Sequence, residues 1–372
     1  MLQMIIVGAL AASAHWLLYR RLVIATGVPG PAKVAAVIVL GLLWVAAVIA
    51  LGAGSVYAPG PVRPVVWLGY TWFVVLLYLL LGLLVIGLVL LVLRLTGSTR
   101  RTTWLRVLSA VAVVVSLGAV GVGVVQAENV RVVETEGRFA DLPRQFDGLR
   151  VAVVSDLHVG AARGPGFTAR IVDLVNAQHP DLIVLPGDLL DGAVDLVSGD
   201  IAPLAELRAR YGVIGVAGNH EGYVDEVGSW LDHWETLGIE TLRNTRTELS
   251  IDGASIDIAG VYDYAAPAPY APDLDAALAG TDPARFTLLL AHQPRQAPAA
   301  GERDVDLQLS GHTHGGQLWP FVYPVRWANP TVSGWDRFGD MRIFTTVGAG
   351  AWGPPVRLGV PPEVVILTLR TA

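Results

Sequence analysis

Short polar patches in the C-terminal two-thirds of the chain contain the residue types that bind divalent metal ions. They are Asp156-Leu157-His158, Gly187-Asp188, Gly218-Asn219-His220-Glu221, His292 and Gly311-His312-Thr313-His314. Five of the eight histidines of the chain lie in these patches. A mixed set of imidazoles and carboxylates suits Mn, Fe, Zn or Co rather than Mg or Ca alone. Two such ions about 3.5–4 Å apart could share a hydroxide that attacks phosphorus in an in-line displacement.

Each patch directly follows a short apolar run of the kind that forms a buried strand. The runs are Val151–Ser155, Leu182–Leu185, Val213–Val216, Phe286–Leu290 and Leu307–Ser310. Ligands of open α/β folds bind at the carboxyl ends of strands. One patch alone, such as His292, is more often incidental than a ligand. The common placement of all these patches directly after strands predicts that they share one metal site.

The residues from Glu128 onward have the composition of a soluble α/β domain of about 245 residues, enough for one substantial core. Amphipathic helices are predicted near Gly166–Gln178, Ala202–Arg210 and Asp225–Leu237. Two strand patterns, Thr247–Ile251 and Ser255–Ala259, are joined by Asp-Gly, which predicts a hairpin. Strands that alternate with helices and are then followed mostly by strands indicate an α/β fold, a four-layer α/β/β/α sandwich.

The first 127 residues have a different character, because long windows contain no charged residue. These windows are Met1–Tyr19, Val34–Val62, Pro64–Leu93 and Val107–Ala127. Each reaches the roughly 20 apolar residues that cross a bilayer as a helix. We expect about four transmembrane helices in residues 1–127, a connector in residues 128–148 and a catalytic domain in residues 149–372. As a flexible coil, a connector of about 20 residues would reach about 25 Å.

Basic residues orient the predicted spans. They lie mainly between the first and second spans (Arg20, Arg21, Lys33) and between the third and fourth (Arg94, Arg100, Arg101, Arg106). The positive-inside rule places both loops in the cytoplasm and the catalytic domain outside. The absence of cysteine fits an oxidising or a reducing side. Alternatively, the fourth span is an export signal cleaved after Val125-Gln126-Ala127, although an uncleaved helix is favoured.

The motif blocks resemble those of the calcineurin-like metallophosphoesterase superfamily, which read D-x-H, G-D, G-N-H-E/D, H and G-H-x-H. The resemblance covers about Leu149–Leu369. It is closest to the membrane-anchored bacterial subgroup, which shares Asp181–Val184, Gly311–Gln317 and the ending Gly350–Gly359. The motifs are highly specific for the superfamily and only suggestive for the substrate.

The resemblance implies a role for each motif residue. The implied metal ligands are Asp156, His158 and His314 at one ion, Asn219, His292 and His312 at the other, and Asp188 as the bridge. His220 would stabilise the phosphoryl oxygens or protonate the leaving alkoxide. The alternative is that His220 is itself a metal ligand. Glu221 would orient the site from outside the ligand set.

These observations predict a membrane-anchored phosphoesterase with two divalent ions that hydrolyses a phosphomonoester or a phosphodiester. A lipid-linked substrate is one option, because the aromatic stretch Leu318–Tyr323 could form a lipid-facing rim; core packing would explain it as well. The alternative function is a membrane sensor or accessory protein whose metal domain binds a ligand without turnover. The net charge of −6 offers no basic groove for nucleic acid. Substrate, metal identity and oligomeric state stay open.

Overall fold

The computed structural model describes residues 2–372, and it describes side chains from residue 4 onward. Within this range the chain forms ten α-helices and twelve β-strands. The helices are α1 (Leu2–Leu18), α2 (Gly30–Gly52), α3 (Arg63–Leu95), α4 (Arg101–Glu128), α5 (Pro165–Asn176), α6 (Val194–Ile201), α7 (Val227–Thr236), α8 (Leu274–Ala277), α9 (Ala297–Ala300) and α10 (Val322–Ala328). The strands are β1 (Arg131–Phe139), β2 (Arg150–Val153), β3 (Leu182–Leu185), β4 (Val213–Gly215), β5 (Ile239–Thr241), β6 (Thr245–Ile251), β7 (Ala254–Gly260), β8 (Thr287–Leu290), β9 (Leu307–Ser310), β10 (Gly334–Phe338), β11 (Met341–Thr345) and β12 (Glu363–Thr371).

The strands form two sheets that pack face to face. The first sheet has the order β1-β12-β2-β3-β4-β5, and the second has the order β10-β11-β9-β8-β7-β6. Helices α5, α6 and α7 pack on the outer face of the first sheet. Helices α8 and α9 cover the outer face of the second sheet. The predicted four-layer α/β/β/α sandwich is therefore confirmed.

Strand β3 shows how the sequence builds these layers. Its side chains alternate between the two faces of the sheet, as in any strand. Leu182 and Val184 pack in the core between the two sheets. Ile183 and Leu185 pack against the helices on the other face. Both faces are buried, so β3 is a continuous apolar run instead of an alternating one.

The predicted hairpin is present as β6 and β7, which pair antiparallel. Asp252 and Gly253 at its turn have φ values of 47° and 81°. Two positive φ values in succession are the signature of the type I′ turn that the Asp-Gly pair favours. The helix predicted at Ala202–Arg210 is wrong, since α6 ends at Ile201 and a 3₁₀ turn follows. Pro203 accounts for this end, because proline lacks the N–H that a continuing helix needs.

Among the described residues, three helical segments are long and apolar enough to cross a membrane: Gly30–Gly52, Gly60–Leu95 and Arg101–Glu128, with mean hydropathy of 2.9, 3.2 and 2.4. Helix α1 has 17 residues and continues into a π-helical turn, Tyr19–Ile24. That α1 also spans a membrane stays a prediction. Met1, the first residue of the predicted window Met1–Tyr19, lies outside the described residues. We refer to α1–α4 as the helical bundle.

The segment expected to connect the bundle to the catalytic domain is part of the sheet. Helix α4 ends at Glu128, and β1 begins at Arg131 and pairs with β12 in a parallel register. This segment is therefore a strand rather than a flexible coil with a reach of about 25 Å. The division of the chain at residues 127 and 148 itself stays a prediction.

The bundle and the domain are held together by direct contacts. The guanidinium of Arg63, at the start of α3, lies 2.7 Å from a carboxylate oxygen of Asp200. The backbone N–H of Arg357 donates to the carbonyl of Gly123 in α4. Val356 is completely buried in the apolar core that α1–α4 share. These contacts fix the edge of the domain that carries the predicted ligands against the bundle.

Candidate metal centre

The carboxyl ends of β2, β3, β4, β8 and β9 bring all seven predicted ligands together. Their candidate ligand atoms form two clusters, and within each cluster these atoms all lie within 4.8 Å of one another. The first cluster is Asp156, His158 and His314, and the second cluster is Asp188, His292 and His312. Asn219 joins the second cluster, since its Oδ1 lies 2.9 Å from Nδ1 of His312. Their assignment as ligands stays a prediction.

Asp188 lies between the two clusters. Its Oδ2 is 3.1 Å from Nε2 of His292 and 3.6 Å from Nε2 of His158. The carboxylate is almost completely buried. Burial raises the pKa of a carboxyl group, but the surrounding His292 and His220 outweigh it and hold the pKa of Asp188 well below its usual value. Asp188 is thus a buried carboxylate between the two clusters, and its role as a bridge between two cations stays a prediction.

His292 provides a direct test of whether these residues fit a metal ion. Its Nδ1 donates to the carbonyl of Pro186 at 2.7 Å, so that Nε2 is the ring nitrogen left to face Asp188. This Nε2 is buried and has no hydrogen-bond partner among the described residues, although Oδ2 of Asp188 lies 3.1 Å away. A buried polar atom without a partner costs about 1–3 kcal/mol. A divalent cation between Nε2 and the carboxylate would satisfy both groups.

The first cluster fits a cation for a similar reason. His158 contacts Oδ1 of Asp191 through Nδ1 at 2.8 Å. With the proton on that nitrogen, the lone pair of Nε2 points into the cluster, 3.0 Å from Nε2 of His314. Burial, followed by the charge of Arg357, lowers the pKa of His314 well below its usual value, so that the ring is neutral. Neutral imidazoles are the form that binds metal ions.

Glycines allow the loops to approach the carboxylates closely. A Cβ atom at Gly218 would lie 2.2 Å from Oδ1 of Asp188, and one at Gly311 would lie 2.2 Å from Oδ2 of Asp156. Neither position can accept a side chain without moving a carboxylate. The glycines before Asn219 and His312 are therefore part of the ligand geometry.

Five of the seven predicted ligands adopt the left-handed backbone conformation that is rare outside glycine. They are Asp156 (φ 57°), His158 (φ 46°), Asp188 (φ 54°), His312 (φ 71°) and His314 (φ 49°). Such residues cost about 1–3 kcal/mol each and cluster at functional sites, where the surrounding structure holds them. The strain is thus concentrated where the chain turns its ligands inward.

Glu221 ties two of the loops together, as its predicted orienting role requires. Its completely buried carboxylate accepts hydrogen bonds from the N–H groups of Gly218, Asp188 and Leu189 at 2.7, 3.0 and 2.8 Å. Burial, then the neighbouring Asp188, raises the pKa of Glu221 to about 7. The carboxylate fixes the loop after β3 against the loop after β4, and it contacts the backbone rather than the candidate ligand atoms.

Asp191 is a site residue that the sequence analysis missed. Its Oδ1 lies 2.6 Å from Nδ1 of His220 and 2.8 Å from Nδ1 of His158. His158, Asp191 and His220 also form a group that could hold a metal ion, but one oxygen between two Nδ1 atoms is better explained by two hydrogen bonds. The available signal was a second carboxylate three residues after Asp188 in the same loop.

Arg357 is a second residue without a predicted role. Its side chain is completely buried, and its guanidinium donates to the carbonyls of His314, Gly350 and Val347 at 2.6–2.9 Å. One of its nitrogens lies 2.9 Å from Nδ1 of His314. Burial lowers the pKa of Arg357 to about 9. Arg357 fixes the loop that carries His314 and lies at the contact with α4, so it links the site to the bundle.

Comparison with known proteins agrees with this geometry. The model of the calcineurin-like phosphoesterase family matches residues 149–316. An "uncharacterized metallophosphoesterase" of Aquifex aeolicus is 32% identical over 244 residues, which cover 64% of this chain and 89% of that protein. The chain belongs to the calcineurin-like phosphoesterase family.

One of the similar proteins is named as a transmembrane protein. A "transmembrane protein with metallophosphoesterase domain" of Bos taurus is 34% identical over 293 residues, or 75% of this chain. The chain spans 66% of that relative's length. Among solved structures, the phosphopantetheinyl hydrolase of Mycobacterium tuberculosis aligns with a TM-score of 0.37 and 15% identity, over 58% of this chain and 97% of that one. The family and the buried Asp and His clusters support binding of divalent metal ions by this calcineurin-like phosphoesterase.

Proposed function

We propose that the protein is a membrane-anchored, metal-dependent hydrolase of phosphomonoesters or phosphodiesters. The observation that carries this proposal is the pair of buried Asp and His clusters with Asp188 between them. Three residues, Asp156, His158 and His314, would hold one divalent ion. Asn219, His292 and His312 would hold the second, and Asp188 would contact both.

The reaction adds water across a phosphorus–oxygen bond. When bound, divalent ions supply positive charge that polarises phosphoryl oxygens and promotes ionisation of water near neutral pH. A water oxygen forms a new bond to phosphorus, the bond from phosphorus to the alcohol oxygen breaks, and the alcohol leaves with a proton. The buried carboxylates and imidazoles of the chain would hold the positive charge of the ions in a fixed place. Their burial limits the access of other water molecules to the site.

His220 is placed to supply that proton. Asp191 accepts a hydrogen bond from Nδ1 of His220, so Nε2 of His220 is the nitrogen that remains to face the substrate. The backbone N–H of His220 donates to Oδ1 of Asp188 at 2.8 Å, which fixes the ring beside both clusters. A sensor that binds without turnover needs no oriented acid of this kind. The His220–Asp191 pair therefore favours an enzyme over the sensor alternative.

Metal removal tests the proposed activity. We expect the full-length protein in nanodiscs to release 4-nitrophenol from 4-nitrophenyl phosphate or bis(4-nitrophenyl) phosphate. The activity should disappear after treatment with EDTA and return with Mn²⁺, Fe²⁺, Zn²⁺ or Co²⁺, because the donor set suits these ions. Initial rates in each ion give the metal preference. Binding of metal without hydrolysis of either ester would support the sensor function instead.

The proposed orientation places the catalytic domain outside the cell. The side chain of Arg106 donates to the carbonyl of Thr26 at 2.7 Å, so the two basic loops lie at one end of the bundle. Arg63, which contacts Asp200, lies at the other end with the domain. With the basic loops in the cytoplasm, as the positive-inside rule requires, the domain lies on the opposite side.

Single cysteines in this cysteine-free chain test the orientation. Thr99 is exposed in the loop between α3 and α4, and Glu302 is exposed on the domain. In intact protoplasts, a membrane-impermeant maleimide should label Glu302→Cys but not Thr99→Cys. Permeabilised protoplasts should label both, which controls for reactivity. Labelling of Thr99→Cys alone in intact protoplasts would reverse the orientation and place the substrate in the cytoplasm.

A further inference from the structure

A cavity joins the metal centre to the helical bundle. Its volume is about 510 Å³, within the roughly 300–1,000 Å³ that ligand pockets have. The predicted ligands Asp188, Asn219 and His312 line one end of it. Phe73 and Leu77 of α3 line another part. A molecule in this cavity would thus contact both the metal centre and a helix that is long and apolar enough to span the bilayer.

A second apolar part of the lining lies near α10. It is formed by Leu318, Phe321 and Val325, which lie in α10 and in the segment before it. The hydroxyl of Tyr78 in α3 donates to the carbonyl of Trp319 at 2.6 Å, which fixes this part of the lining to the bundle. Away from the predicted ligands the lining is thus formed largely by apolar side chains, together with the polar Gln317 and Asn329.

The surface beside this part of the lining has the composition of a membrane interface. Trp319, Tyr323 and Trp327 are 58%, 54% and 86% exposed. The interpretation of Leu318–Tyr323 as core packing is therefore wrong for Trp319 and Tyr323. Tryptophan and tyrosine concentrate where a bilayer meets water, and adjoining exposed apolar side chains mark an interaction surface. Their position beside α3 is the one that a cavity at the level of the lipid headgroups would require.

A second cavity of about 670 Å³ also reaches His220. It is a less suitable place for a phosphoester that contacts the metal centre. It lies on the other side of Phe73 and Trp352, which line both cavities. Among the described residues, its lining contains none of the seven predicted ligands, and Val56 lies in its wall. A phosphoester in contact with the metal centre would thus extend into the first cavity.

We propose that the substrate is an amphiphilic phosphoester with an apolar chain, with its phosphate at the metal centre and its chain in the 510 Å³ cavity against α3. This inference rests on the proposed phosphoesterase function and assigns its substrate class. The chain leaves the bilayer beside Trp319 and remains in contact with Phe73 and Leu77. Each methylene group that leaves water adds about fourfold to binding, so the chain contributes strongly to selection.

Pairs of esters in which only one member carries a long apolar chain test the inference. The monoesters are glycerol 3-phosphate and 1-dodecanoylglycerol 3-phosphate, and the diesters are methyl and dodecyl 4-nitrophenyl phosphate. For the full-length protein in nanodiscs with Mn²⁺, we expect kcat/KM for the long-chain member of the hydrolysed pair to be at least about tenfold higher. The measured quantity is the ratio of the two kcat/KM values.

Substitutions in and around the cavity locate the chain. Leu77→Trp fills the cavity and should bring the ratio close to 1, and Leu77→Ala should lower it less. Leu88, on the same helix, is 57% exposed away from the cavity, so Leu88→Trp should keep the ratio. Val56→Trp, in the second cavity, should keep it too. Metal content equal to that of the wild type verifies that each variant is folded.

Each contrary result has its own meaning. Equal kcat/KM values within a pair would overturn the inference while leaving the phosphoesterase function intact. Absence of hydrolysis of all four esters would overturn both. A ratio that is kept in Leu77→Trp, as in Leu88→Trp, would attribute the preference to partition into the bilayer. A loss in Val56→Trp alone would place the chain in the second cavity. Both of these last results overturn the assignment to this cavity.

Discussion

Replacing Asp188 by asparagine is expected to abolish hydrolysis and to lower bound metal from about two ions per chain to one or fewer. The carboxylate lies 3.1 and 3.6 Å from the Nε2 atoms of His292 and His158. An asparagine of the same size would remove the negative charge shared by both clusters and could direct an N–H group at the ions. The rate should fall by more than the roughly 10–100-fold that loss of an outer partner of a ligand costs.

Metal content by mass spectrometry and turnover of 4-nitrophenyl esters measure this effect together. Asp195→Asn is the matched control, because Asp195 is exposed in the first turn of α6 and the substitution is chemically the same. The control should retain wild-type metal and rate. Wild-type turnover in Asp188→Asn would show that Asp188 is not a bridging ligand.

The strands that carry the site could be predicted from the sequence because their physical signal is local. Each is a short run of apolar residues, and the residue after it is a ligand type rather than a further apolar side chain. Strand β3 is buried on both faces, so its apolar run is continuous. The sequence therefore also locates the ends of the strand, at Leu182 and Leu185. The loops that follow such strands converge because the strands are parallel.

The elements that could not be predicted lack such a signal. Strand β5 has only three residues, Ile239–Thr241, which are too few for a recognisable apolar run. Helix α10 buries none of its seven residues, so it has no apolar face directed at the core. Its position follows from the Tyr78 contact and from the cavity beside α3. Contacts of this kind arise only when the whole chain is folded.

The docking of the domain on the bundle illustrates the same limit. Val356 is completely buried among side chains of the bundle, and a Cβ at Gly123 would lie 2.5 Å from it. Nothing local distinguishes Gly123 from the other glycines of α4. From the sequence alone, the short polar segment after Glu128 is predicted to be a connector. It is a strand because it pairs with β12, whose residues lie more than 200 positions away in the chain.

The ligand types could be predicted, but the residues that orient them could not. Asp191 and Arg357 act on the histidines through side-chain hydrogen bonds, which leave no pattern in the sequence. A carboxylate three residues after Asp188 is compatible with an ordinary solvated loop. An arginine in a Pro- and Gly-rich ending is compatible with a surface turn. Only their burial and their distances to His158, His220 and His314 reveal what they do.

Replacing His220 by alanine is expected to lower the rate roughly 10²–10⁴-fold, the usual contribution of a positioned acid, while both metal ions remain bound. Burial alone would lower the pKa of His220, but Asp188 and Asp191 outweigh it and raise it to about 9. The ring therefore carries a proton at neutral pH. His179→Asn is the control, because His179 is exposed and asparagine tolerates its positive φ of 49°.

The leaving group separates proton donation from a merely structural role. An aryl ester that releases 4-nitrophenol needs little protonation, whereas an alkyl ester releases a strongly basic alkoxide. If His220 donates the proton, His220→Ala should affect the alkyl ester at least about tenfold more than the aryl ester. Asp191→Asn should show the same dependence with some loss of metal, because Asp191 also contacts His158. Equal losses on both esters, or loss of a metal ion in His220→Ala, would instead make His220 a ligand or a structural residue.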